Sequence, residues 1–199
     1  MILLGPSGGW CLPAKGFIDA FSEVIAVDPD PAARAIFKRR FKPSASQPAQ
    51  AAGAFSQTWV ASTFERVLPT LLVRHPRHAV LFCNVLGQLR YQDKKTLERI
   101  EFELGQIKLM LAGRHWASFH DRISGEAITA NLQELEFFST DAVTTNALAK
   151  RVARGGEWLD HLTESVLPAN TARRFMAWPI SRERLHWIEA GWVEADSSR

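Results

Sequence analysis

The sequence predicts an α/β fold with a mostly parallel sheet closed by an antiparallel hairpin, and three observations point to it. Residues 2 to 28 run from an apolar stretch, Ile2-Leu3-Leu4, through the turn Gly5-Pro6-Ser7-Gly8-Gly9 to a second apolar stretch ending on Asp28. With a short helical segment between them, these form the outline of a βαβ unit that has a ligand loop after its first strand. Apolar runs then alternate with segments of helical period, and Ala79-Val80-Leu81-Phe82-Cys83 has the uniform apolarity of a central parallel strand. Finally, the runs 174–179 and 185–192 are too close together for a helix to join them, so they must pair as antiparallel strands.

Each element follows from local chemistry. Residues 13 to 21 read as a short helix, with Pro13 tolerated in its first turn. The second strand covers Val24 to Val27. Asp30 caps the next helix and Pro31 takes its first position, while Ala33, Ile36, Phe37 and Phe41 recur at a 3.6-residue period. Lys38, Arg39 and Arg40 fall at its C-terminus, where the helix dipole favours cations. Residues 43–57 are uncharged and rich in Pro, Ser, Ala and Gln, which reads as a mobile surface loop. A short third strand is expected near Thr58 to Ala61. Ser62-Thr63-Phe64-Glu65 has the capping-box spacing, Pro69 should break or restart that helix, and His75-Pro76 should end it. After the fourth strand, Asp93 is expected to cap a long helix with the face Leu97, Ile100, Leu104, Ile107 and Leu111, stopped by Gly113. Trp116 to Phe119 reads as a fifth strand ending in His120-Asp121-Arg122. Residues 126–167 read as helical or irregular, with Asp141 capping a helix that covers Leu148 and Val152.

A chain of 199 residues is long enough for one α/β domain, so 1–199 is read as a single domain. No apolar run reaches the length of a membrane span, and residues 1 to 30 lack the layout of a signal peptide. Cys11 and Cys83 make neither a disulfide framework nor a zinc spacing. The expectation is therefore a reduced, cytoplasmic protein with no metal site and two separate thiols. The net charge of +3 is mild, and short basic clusters at element ends point away from nucleic acid. Met1 stands directly at the first apolar run, which suggests a native start upstream or a trimmed chain. Oligomeric state is not legible.

The candidate ligand residues are Gly5, Ser7, Gly8, Gly9 and Asp28. Glycines let a backbone approach a ligand and present its N–H groups. Asp28 lies 19 residues after Gly9, where an acid at a strand tip can accept hydrogen bonds from ribose hydroxyls. A plain tight turn is the bland alternative. His120 is a candidate general base because histidine titrates near neutrality and a strand tip borders the cleft of such folds, with Asp121 as its orienting partner. Alternatively, both residues satisfy loop groups. His186, inside the last strand, reads as a packed histidine, His161 is undetermined, and the tryptophans read chiefly as packing.

Five strands alternating with helices, then a terminal hairpin, resemble the layout of class I S-adenosylmethionine-dependent methyltransferases. At motif level the resemblance rests on Gly5-Pro6-Ser7-Gly8-Gly9, Asp28 and Cys83-Asn84-Val85-Leu86-Gly87-Gln88. It implies a Rossmann-like methyltransferase fold with strand order 3-2-1-4-5-7-6. It further implies S-adenosylmethionine as cofactor, with the glycine loop on its methionine part, Asp28 on its ribose, and Cys83 and Asn84 at the strand-four tip facing it. The implied activity is methyl transfer to a small molecule. Strand one carries no acid before the glycines, and no Asp or Glu occurs from Pro31 to Phe64. These departures sustain a rival reading, a catalytically silent methyltransferase-like binding or scaffold protein. A nicotinamide-dependent oxidoreductase would need a glycine spacing that is not met here.

Overall fold

The computed structural model describes residues 1–42, 55–91, 96–126, 136–152 and 157–195. The chain falls into two compact units, Met1–Cys83 and Asn84–Arg199. Most of the expected loop at 43–57, and Asp93, lie outside the described residues. No helix among the described residues is long and apolar enough to cross a membrane.

In the first unit, β1 (Ile2–Leu4), β2 (Glu23–Val27), β3 (Ser56–Val60) and β4 (Val80–Cys83) stand in the order β3-β2-β1-β4, all parallel. Leu4 lies opposite both Val27 and Phe82, so the carboxyl ends of the three strands are level. β1 and most of β2 are buried, which matches their apolar runs without alternation. α1 (Ala14–Ala20) follows Pro13. α2 (Pro31–Arg40) starts as expected, the Asp30 carboxylate accepting the Ala32 N–H at 2.8 Å. Its Phe37 ring stacks on Phe41 with centroids 4.1 Å apart. Ile36 is partly exposed instead of sharing that core face.

α3 (Phe64–Arg74) differs from the expectation in two ways. Thr63 is its N-cap and makes no side-chain cap bond, so the capping box does not form. The helix also runs unbroken through Pro69. A mid-helix proline costs about 3 kcal/mol. Here Phe64, Leu68, Leu71 and Leu72 are buried on both sides of it, and burying a side chain of this size contributes ~1.5–3 kcal/mol. Packing therefore outweighs the lost backbone bond.

In the second unit, α4 (Leu97–Met110) is capped by Thr96, whose hydroxyl accepts the Arg99 N–H at 3.4 Å. Ile100, Leu104 and Ile107 are its buried face, while Leu97 is exposed. Gly113 follows the helix in the left-handed conformation, φ +75°. β5 (Trp116–Glu126) has 11 residues, well beyond the expected end at Phe119. The charges of His120-Asp121-Arg122 read as loop, but all three are buried in the strand because each has a polar partner.

β9 (Arg184–Val193) pairs antiparallel with β5, and β8 (Arg173–Pro179) with β9, which is the expected hairpin. The expected end of the order, 5-7-6, lacks two further strands. β6 (Phe137–Ser139) pairs with β8, and β7 (Trp158–Asp160) pairs with β5 at Ile123–Gly125. Both come from the stretch read as helical or irregular, and three residues are too short to display a period of two. α5 (Thr145–Val152) covers Leu148 and Val152 as expected, but Asp141 does not cap it. The Thr144 hydroxyl accepts the Ala147 N–H, and Glu164 accepts the Thr145 N–H at 2.7 Å. A carboxylate at this end also suits the helix dipole.

Gly9 offers a direct test of how tightly the first unit packs. It sits at φ +73°, and a Cβ there would stand 2.6 Å from the Phe41 ring. Gly9→Ala should cost about 2–5 kcal/mol, from left-handed strain plus overpacking. Gly16→Ala, in α1 with no contact nearer than 3.8 Å, should be neutral or stabilising by up to about 1 kcal/mol. Urea denaturation of the two variants measures both.

Candidate functional site

The β1 loop is built around Asp28. Its carboxylate, 8% exposed at the end of β2, accepts the Ser7 N–H and the Asp30 N–H, each at 2.9 Å. The Gly5 N–H goes to Val27 O and the Gly9 N–H to Pro6 O, each at 2.8 Å. Ser7 holds a left-handed φ of 49°, and Gly5 one of 65°. A Cβ on Gly8 would stand 2.7 Å from both Ile36 and the Trp10 indole nitrogen. The loop glycines therefore serve close approach to their own neighbours. Trp10 is exposed, with the Arg40 guanidinium 4.4 Å over its ring. Cys11 is exposed and Cys83 buried, and both are free. Burial pushes the Cys83 thiol far up, with Cys11 and Asp28 adding to the shift.

In the second unit, Asn84 has a left-handed φ of 59°. Asparagine is among the few side chains that adopt that conformation readily. Its Oδ1 accepts the Asp121 N–H at 2.9 Å and its Nδ2 donates to Asp121 Oδ2 at 3.0 Å. Gly87 makes this clasp possible. A Cβ there would stand 2.7 Å from Asn84 Oδ1 and 2.9 Å from the Asp121 nitrogen. Asp121 Oδ1 has no hydrogen bond directed at it, and His186 Nδ1 lies 3.0 Å away, off its N–H axis. Burial alone would raise the Asp121 carboxyl, but neighbouring His186 and the Asn84 amide outweigh it and hold it below the usual range.

His161 completes the group. Its Nδ1 lies 3.2 Å from Gly87 O and its Nε2 3.0 Å from Ser124 Oγ. A carbonyl can only accept, so Nδ1 carries the proton and Nε2 the lone pair. Burial holds this imidazole below its ordinary pKa, which keeps it neutral.

The opposite face of β5 carries a second polar network. Glu189 accepts from Arg122 Nη1 at 2.6 Å and from Arg173 Nη1 at 3.0 Å, and all three side chains are fully buried. His120, also fully buried, places Nε2 3.3 Å from Glu189 and Nδ1 3.0 Å from Ser118 Oγ. Burial lowers its pKa, and the Glu189 contact opposes the shift without cancelling it. Successive strand residues point to opposite faces. His120 and Asp121 therefore do not meet as base and orienting partner, and Asp121 turns to Asn84 and His186 instead. A base must reach its substrate within about 3 Å, and His120 has no exposed surface from which to do so.

The reading of His186 as a packed histidine missed its closeness to Asp121, and His161 carried no sequence signal at all. Neither is close in sequence to Asp121; only strand pairing brings them together. The spacing that would have revealed them is set by the β5–β9 register, in which Asp121 faces Ile188 and Ser124 faces His186.

No family model matches the chain, and no curated protein matches it. Among solved structures, it is similar to the crystal structure of N-methyltransferase NodS from Bradyrhizobium japonicum WM9 in complex with S-adenosyl-L-homocysteine. The identity is 9%, the match covers 96% of this chain and 76% of that one, and the TM-score is 0.40. At that score the likeness carries no weight in assigning a ligand or an activity.

The Glu189 network sets a stability expectation. Burial would raise its carboxyl, but His120 and the Arg122 guanidinium hold it below the ordinary value of 4.5. A depressed carboxyl contributes stability that is fully present above the unfolded pKa and lost as pH falls through the folded one. Wild-type stability should thus decline below about pH 4.5. Glu189→Gln leaves two buried arginines without their carboxylate, and should cost about 3–5 kcal/mol at pH 7 while flattening that acid decline. Denaturant titrations between pH 7 and pH 3 check both.

Proposed function

We propose that the chain binds S-adenosylmethionine at the carboxyl ends of the parallel strands of its first unit and transfers a methyl group to a small molecule. The observation that carries the reading is the position of Asp28, at the tip of β2 and bonded to the loop after β1. Ligands of open parallel sheets bind outside those strand ends. A carboxylate offers about four lone-pair positions. Backbone N–H groups of Ser7 and Asp30 occupy two, which leaves two for the paired hydroxyls of a ribose. Those same backbone bonds fix the carboxylate in place before a ligand arrives. In this reading Gly5, Ser7, Gly8 and Gly9 shape the loop beside the ligand. His120 acts by holding the Glu189 network, without touching substrate.

A specific observation favours a second reading, a silent methyltransferase-like binding or scaffold protein. The N–H groups of Gly5, Ser7 and Gly9 are already bonded within the protein, and the space over Gly8 and Gly9 is filled by Ile36, Trp10 and Phe41. The two readings separate in a calorimetric titration with S-adenosylhomocysteine, with NAD as the comparison ligand. On the methyltransferase reading, S-adenosylhomocysteine binds and raises the Tm while NAD does not. Asp28→Asn then weakens binding by about 1–3 kcal/mol, with a urea melt of the variant verifying its fold. Absence of heat and of thermal shift at millimolar S-adenosylhomocysteine would overturn the methyltransferase reading.

A further inference from the structure

We propose that Asp121, His161 and His186 form a binding site for one divalent transition-metal cation of the zinc, cobalt or ferrous class. The site lies wholly within the second unit and does not depend on the methyltransferase reading.

The three residues each offer one ligand atom, and these atoms lie within 4.8 Å of one another. Ligands at about 2.1 Å from one cation stand about 3.4 Å apart in a tetrahedron and at most about 4.2 Å apart when trans, so a pair near the 4.8 Å limit closes by about 0.6–1.4 Å on binding. The Asp121–His186 pair already fits. Two cis ligands at about 2.1 Å are separated by about 3.0 Å at a right angle, and Asp121 Oδ1 and His186 Nδ1 stand 3.0 Å apart. They form an ion-pair contact without an aligned hydrogen bond, and the carboxylate oxygen is buried. An imidazole nitrogen this close without an aligned hydrogen bond leaves the buried oxygen poorly satisfied in a purely structural network. Beside two imidazoles it is the arrangement of atoms that share a cation.

The surrounding bonds orient the ligands as metal sites require. The Asn84 amide donates to Asp121 Oδ2 and leaves Oδ1 for the metal. His161 donates Nδ1–H to Gly87 O, which directs the lone pair of Nε2 away from that carbonyl. Ser124 Oγ, 3.0 Å from Nε2, can turn its hydroxyl aside or join as a further ligand. Two nitrogens and one carboxylate suit zinc, cobalt and ferrous ions, whereas magnesium and calcium take oxygen sets. Three protein ligands leave positions open for water or a coordinating substrate. A second cluster, Glu23, His75 and His78 in the first unit, is less suited, because all three of its residues are half-exposed, whereas Asp121 and His161 are buried.

The test uses the full chain, stripped with a chelator and free of any methyl donor. It is titrated with Co²⁺, followed by visible absorption, and with Zn²⁺, followed by calorimetry. One equivalent should bind with a Kd below about 10 µM, and Zn²⁺ should displace Co²⁺. Asp121→Asn and His186→Gln should each weaken binding by about 100-fold or more, and Asn84→Ala by about 10–100-fold. His78→Ala should leave binding unchanged. Circular dichroism checks each fold, and if Asp121→Asn does not fold, His186→Gln, at the less buried member of the three, decides. Three results would overturn the proposal. They are no binding of either metal up to about 1 mM, wild-type affinity in a folded His186→Gln, or loss of binding in His78→Ala.

Discussion

Glu189 is fully buried between Arg122 and Arg173, with His120 and Ser118 extending the chain of contacts along β5. A buried arginine without a counter-charge would cost several kcal/mol. Here each guanidinium meets the carboxylate and also donates to backbone carbonyls, Arg122 to Val143 and Arg173 to Pro168. That pairing lets a strand carrying His, Asp and Arg in succession run through the interior of the second unit. With it, Asp121 and Ser124 stand on a sheet face beyond Phe119. The network also borders an apolar cluster of Ile123, Phe175, Leu185 and Trp187 against Leu148 and Val152 of α5. Charge compensation and core packing thus share one side of the sheet.

The other side is arranged by a single irregularity. Asp121 pairs with Ile188, but Ile123 pairs with Trp187, so Arg122 is an extra residue bulged out of the ladder. In a regular strand Asp121 and Ser124, three apart, would point to opposite faces. The bulge adds one residue and brings both to the face where His161 and His186 stand. It also lets Arg122 and Ile123 both serve the opposite face, one in the Glu189 network and one in the apolar cluster. Gly87 and the left-handed Asn84 supply the close approach that holds Asp121 there.

The first unit uses its glycines in the same manner. Gly9 lies against Phe41, and Gly8 against Ile36 and Trp10, while Asp28 ties the loop to the end of β2. Glycine in a ligand loop and glycine in a self-packed turn answer the same steric demand, the approach of another group to a bare Cα. Local sequence does not separate the two, since Ile36, Phe37 and Phe41 approach from α2 and the residue after it.

Much of the first unit was legible because its signals are local. The strands β1, β2 and β4 follow from unbroken apolar runs, their order only from the resemblance in layout, the start of α2 from Asp30-Pro31, and the closing hairpin of the second unit from the short gap between two apolar runs. What local pattern misjudged was decided by partners far along the chain. Helix α3 continues through Pro69 because four buried side chains hold it. β5 continues past Phe119 because Glu189, 69 residues beyond His120, meets His120 and Arg122, while Asn84 and His186 meet Asp121. His120 was singled out for its place at an expected strand tip, and became an interior residue once the strand proved longer. The Asp121–His161–His186 group was invisible for the same reason. Its members lie on β5, just after β7 and on β9, and their meeting depends on strand register and one bulge, which are properties of the paired sheet and of no single segment.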